Sequence, residues 1–118
     1  MPISSWVARA RNLSPYSHPH EVRSLILSAP AGASADREAR DLLEWWRGVQ
    51  EGREAVAVEQ SPDDALLGLR DIHPGQRQRR AGFQAGVMVQ AHLDEIEMDE
   101  MDEMDQADSA MALSEVAA

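Results

Sequence analysis

Six prolines, at positions 2, 15, 19, 30, 62 and 74, fix where regular structure in this chain must break, and between them apolar residues return at helical spacing. No proline follows residue 74. That patterning predicts an all-α fold, a small four- or five-helix bundle with mostly antiparallel packing and an acidic, partly disordered C-terminal tail.

The segments follow in order. Trp6, Ala10 and Leu13 mark a short helix over about 5–13, and Val22, Leu25, Ile26 and Ala29 mark a second after the Pro15–Pro19 turn. The third is expected to begin at Ser34 as N-cap, with Asp36 and Glu38 facing the positive helix end. Its apolar stripe is Ala35, Ala39, Leu42, Leu43, Trp46 and Val49. The pattern weakens around Gly52, and the AVAV run at 55–58 reads as continuing helix, because an isolated strand would have no partner. Ser61, Pro62, Asp63 and Asp64 form a helix start, followed by Leu66, Leu69 and Ile72 as its buried face. After the His73-Pro74-Gly75 turn the longest helix is expected over 76–98, with Phe83, Gly86, Val87, Val89, Leu93 and Ile96 placing it at the centre of the fold.

Charge divides the chain more sharply than hydropathy does. Residues 1–90 hold 11 Arg against 11 acids, whereas residues 91–118 hold 10 acids and no Arg or Lys, so the net charge of −10 resides at one end. This gives a helical domain over 1–96 and an acidic, Met-rich tail over 97–118. Met98, Met101 and Met104 recur every three residues and so drift around a 3.6-residue helix instead of forming one stripe. Neighbouring acids repel at i, i+3 and i+4, so the free tail is expected to fray.

Several classes fall away. With no cysteine there is no disulfide scaffold or thiolate metal site. No apolar run approaches the roughly 20 residues of a membrane span, and the first residues lack secretory-signal features. The expected compartment is the cytoplasm, or the host cytoplasm if the chain is phage-encoded. His18 and His20 flank Pro19, and His73 and His92 stand alone; none shows metal-ligand spacing. No HExxH, nucleophile elbow, P-loop or GxGxxG occurs, and Gly82–Gly86 lies within a helix. Neither enzyme activity nor a cofactor or metal is expected.

The remaining features point to binding. The partner-binding residues expected are Trp45, at the edge of the third helix beside the core residue Trp46, and the acidic run Asp94, Glu95, Glu97, Met98, Asp99, Glu100, Met101, Asp102, Glu103, Met104 and Asp105. Methionine adapts to irregular apolar pockets, and carboxylates steer a basic partner. Arg77, Arg79 and Arg80, at a helix start, are a possible anion contact; pairing with Asp63, Asp64 or Asp71 is the favoured alternative. The expected function is a non-enzymatic adaptor, chaperone or inhibitor of a protein with a basic surface, without direct nucleic-acid or membrane binding. Two alternatives are an acidic mimic of nucleic acid, of the kind phages use as inhibitors, and a structural subunit of a phage particle or other assembly. Composition leaves the oligomeric state open.

Overall fold

The computed structural model describes the backbone from Pro2 to Ala117 and the side chains from Pro2 to Glu97. Five α-helices occur, α1 (Ile3–Asn12), α2 (Pro19–Leu27), α3 (Arg37–Glu59), α4 (Pro62–Leu66) and α5 (Arg77–Ala117), with a 3₁₀ segment, Leu67–Asp71, after α4. The described residues contain no strand. The AVAV run belongs to α3, which ends at Gln60 in the left-handed conformation (φ 56°).

Local chemistry accounts for the boundaries. His18 accepts a hydrogen bond from the His20 N–H, and Pro19 occupies the first turn of α2. Ser61 caps α4 in the same way at Asp64, and Pro62 follows it. α3 begins two residues later than the Ser34 expectation. Residues 33–36 are held in turns by bonds to the Pro30 and Gly32 carbonyls, and Asp36 is the N-cap, accepting from the Ala39 N–H at 2.9 Å. Ala35 is therefore exposed and Ala39 buried. After Leu66 the chain tightens to a 3₁₀ turn, and Leu66, Leu69 and the extended Ile72 that follows it all pack on the same apolar cluster.

The bundle is organised on α3 and α5, which pack backbone to backbone. Methyl groups added at Gly48 and Gly52 would overlap the carbonyl oxygens of Arg79 and Phe83; added at Gly82 and Gly86, they would overlap those of Trp45 and Val49. Glycine on both helices is what permits so close an approach. Gly52, where the apolar pattern weakens in sequence, and Gly48 one turn before it thus form a second Gly-x-x-x-Gly, the counterpart of Gly82–Gly86.

Trp45 meets Gly82, Val49 meets Gly86 and Arg53 bonds Gln90, a constant offset of 37 positions. The central pair is therefore parallel, not antiparallel. The cause lies in the connection: α4, the 3₁₀ segment and the 73–75 turn carry the chain back to the start of α3 before α5 begins. The same offset sets Arg40 level with Arg77, and Glu59 level with Ile96.

Two apolar clusters flank this pair. Trp6, Val7, Ala10, Val22, Leu25, Ala33, Ala39, Leu43, Trp46 and Val49 join α1 and α2 to α3. Val56, Ala65, Ile72, Phe83 and Val87 seat α4 and the 3₁₀ segment across α3 and α5. Trp6 and Trp46 are fully enclosed, and their indole N–H groups donate to the carbonyls of Leu25 (2.9 Å) and Ala10 (3.0 Å), so neither ring buries an unpaired donor. Ile96, expected on the apolar face, is 42 % exposed.

Candidate functional site

Trp45 and Trp46 stand one position apart on α3, so their side chains diverge by about 100°. Trp46 enters the core; Trp45 stays half-buried and meets it edge to face, ring centroids 5.0 Å apart. Trp45 lines an open cleft of about 820 Å³ with Leu13, Pro15 and Leu42, its rim formed by Arg11, Arg37, Glu38, Asp41 and Gln78. An apolar floor with a mixed-charge rim suits a side chain that carries both apolar and polar parts.

The three arginines of the α5 start do not act together, nor does any of them pair with Asp63, Asp64 or Asp71. Arg79 reaches across to α3 and donates twice to Glu51, at 3.2 and 2.5 Å, which raises its pKa above the ordinary arginine value. Arg80 donates to the carbonyls of Leu69 (2.7 Å) and Ile72 (2.8 Å), tying the end of the 3₁₀ segment to α5. Only Arg77 remains exposed. It shares a cleft of about 620 Å³ with Arg37, Arg40 and Arg79, together with Asp41 and Glu44. Arg37 and Arg40 escaped sequence analysis because they lie some 40 positions from Arg77, and only the parallel pairing makes them neighbours.

Arg53 is the buried cation of the body, 8 % exposed. Its guanidinium donates to the carbonyls of Pro15 (3.0 Å) and Ser17 (2.6 Å) and to Gln90 Oε1 (3.2 Å). Burial lowers its pKa from the usual value. This clasp fixes the 13–18 loop, which supplies Leu13 and Pro15 to the Trp45 cleft. It also forms one wall of a second cleft, of about 670 Å³, beside His20, Arg23 and Gln50. An arginine inside an otherwise weakening stripe, next to Gly52, was the available signal.

The acidic residues begin at the far end of the pair. Asp94 accepts from Gln90 Nε2 at 3.0 Å, and Glu95 and Glu97 are exposed. The side chains of Met98, Asp99, Glu100, Met101, Asp102, Glu103, Met104 and Asp105 lie outside the described residues. The histidines serve local structure: His18 caps α2 and stacks on His20, His73 Nδ1 accepts from the Gly75 N–H at 2.9 Å, and His92 meets Tyr16 edge-on. Among the described residues no group of three His, Asp or Glu side chains is placed to hold a metal ion. No helix among them is long and apolar enough to cross a membrane.

These features define an all-α bundle built on a parallel glycine-mediated helix pair, with an apolar and a basic cleft at one end and carboxylates at the other. No protein-family model, curated protein or solved structure matches the chain.

Proposed function

We propose that this chain is a non-enzymatic binding protein of the cytoplasm, an adaptor, chaperone or inhibitor, that engages a protein partner through its acidic segment and the Trp45 edge. The observation that carries this reading is the segregation of charge: a charge-balanced body over residues 1–90 and a carboxylate-rich extension without a single Arg or Lys. Such an extension attracts a positive surface and repels phosphate backbones. The Trp45 cleft adds a half-exposed aromatic of the kind that anchors interfaces.

Affinity capture from the source cell tests the proposal with four baits: the full chain, a chain ending at residue 96, Trp45→Ala, and the combined Asp99→Asn, Glu100→Gln, Asp102→Asn and Glu103→Gln variant. A partner with a basic surface should be held by the full chain, released by salt and lost with the truncated or neutralised bait. Retention of every partner by the chain ending at residue 96 would overturn the proposal.

A further inference from the structure

The first turn of α5 holds Arg77, Arg79 and Arg80 and no acid, at the helix end whose own dipole is positive. Parallel packing sets Arg40 beside it, and Arg37 one turn further out, so the two amino-terminal ends of the central pair form a single basic end. Arg11 pairs with Glu38, Arg47 with Glu44 and Arg79 with Glu51, and Arg80 is engaged by carbonyls. Arg37, Arg40 and Arg77 are exposed and make no ion pair among the described residues. At the opposite end stand Glu59, Asp94, Glu95 and Glu97, followed in sequence by seven further acids.

The arginines that open α5 thus stand against its dipole, whereas α3 opens on Asp36 and Glu38, which favour its own. Among the described residues the two ends do not relieve one another within one copy: about 30 Å of helix separates Arg77 from Glu97, against a screening length of about 8 Å at physiological salt. Between two copies they can.

We propose that the Arg37, Arg40 and Arg77 end is a docking surface for the acidic 94–105 segment of a second copy of this chain, joined head to tail. The inference rests on the reading of that segment as a binding segment, and names a partner for it. Two complementarities favour this occupant. The carboxylates meet three arginines that form no ion pair among the described residues and outnumber the two acids of their cleft, Asp41 and Glu44. In addition, Arg37, Asp41 and Gln78 line both the basic cleft and the apolar Trp45 cleft, so the two adjoin. A surface that alternates basic and apolar ground suits a segment that alternates acids with methionine every three residues. Because the two surfaces differ, the contact is heterologous, and repetition builds open strings instead of a closed dimer.

Sedimentation velocity of the full chain, at about 25 mM and about 500 mM salt, reads the association. Species larger than a monomer should grow with concentration at low salt and dissolve at high salt. The combined Arg37→Ser, Arg40→Ser and Arg77→Ser variant keeps the acidic segment, and the chain ending at residue 96 keeps the basic end. Each alone should be monomeric, with association weakened on the order of tenfold or more, and mixed they should form a two-chain complex and nothing larger. Should the truncated chain fail to fold, the full-length Asn/Gln variant described above takes its place.

A full chain that stays monomeric at low salt overturns the inference, as does assembly that survives in either variant, or a mixture that stays unassociated. Loss of oligonucleotide binding in the arginine variant with sedimentation unchanged would assign the surface to nucleic acid and overturn it too. A monomeric chain whose acidic segment still captures another protein would remove self-association alone and leave the proposed function standing.

Discussion

Gly82 and the carbonyl oxygen of Trp45 share a space that admits a hydrogen atom and nothing larger. Alanine at 82 must push α5 away from α3. Overpacking costs about 1–3 kcal/mol, and the better helix propensity of alanine returns about 1 kcal/mol at most. Since the opposing atom is backbone, the helices cannot adapt by a rotamer change, so the cost lies toward the upper end and Gly82→Ala is expected to lose about 1–2 kcal/mol net. Gly48, Gly52 and Gly86 should behave alike. Gly32→Ala, which meets only the flexible tip of Ile3 at 3.2 Å, should stay within about 0.5 kcal/mol. Urea denaturation of the five variants decides it; equal midpoints would refute the close packing.

Arg53→Lys should fail to replace arginine. The planar fork meets two carbonyls and a side-chain amide at once, which a single ammonium on a flexible stem cannot reproduce. At least one acceptor is left without its donor, at about 1–3 kcal/mol. The loss should be local first: amide exchange at Ser17, whose N–H bonds the Ser14 carbonyl, should quicken more than exchange at Val49 in the α3 core. Uniform acceleration at both positions would show that Arg53 does not act through the loop.

Helices were legible in this chain where a proline and a cap coincided with an apolar period, as at Ser61-Pro62, whereas the 55–58 run was legible as helix only because a lone strand would have no partner. What could not be read was the direction of packing. Periodicity reports which face of a helix is apolar but not which helix covers it, so Gly52 reads as a weakening and Gly82–Gly86 as a motif inside a helix, and nothing joins them and Gly48 into a seam. The basic cleft was hidden for the same reason, since Arg37 and Arg77 become neighbours only through the crossover. Trp45 was legible because the angle between consecutive helical residues is a local property. The cleft that Leu13 and Pro15 complete beside it is set by the 13–18 loop that Arg53 clasps, which no spacing rule announces.

Gln60 ends α3 at φ 56° and is the one non-glycine residue with positive φ among those described. The left-handed region costs a side chain with a Cβ about 1 kcal/mol or more, and glycine is the usual occupant of such a helix end. Gln60→Gly should therefore stabilise the protein by about 0.5–1 kcal/mol, after allowing for the greater freedom of glycine in the unfolded chain. Thermal unfolding tests this, and a lowered midpoint would mean that the Gln60 side chain contributes more than its backbone costs.

The last prediction separates anchor from core. Trp46 is enclosed and hydrogen-bonded to Ala10, so Trp46→Ala should cost about 3–5 kcal/mol, and Trp46→Phe, which leaves the Ala10 carbonyl without this donor, about 1–3 kcal/mol. Trp45 is half-buried, meets Trp46 edge to face, packs against the rim of the first apolar cluster and lines the open cleft. Trp45→Ala should accordingly cost less than half as much stability as Trp46→Ala, while weakening partner binding by about 2 kcal/mol or more, roughly 30-fold, as truncation of an interface anchor does. Denaturation and titration calorimetry on the same two variants provide both readings. If Trp45→Ala unfolds the protein as readily as Trp46→Ala, the ring is part of the core; if it leaves both stability and affinity unchanged, the cleft is not an interface.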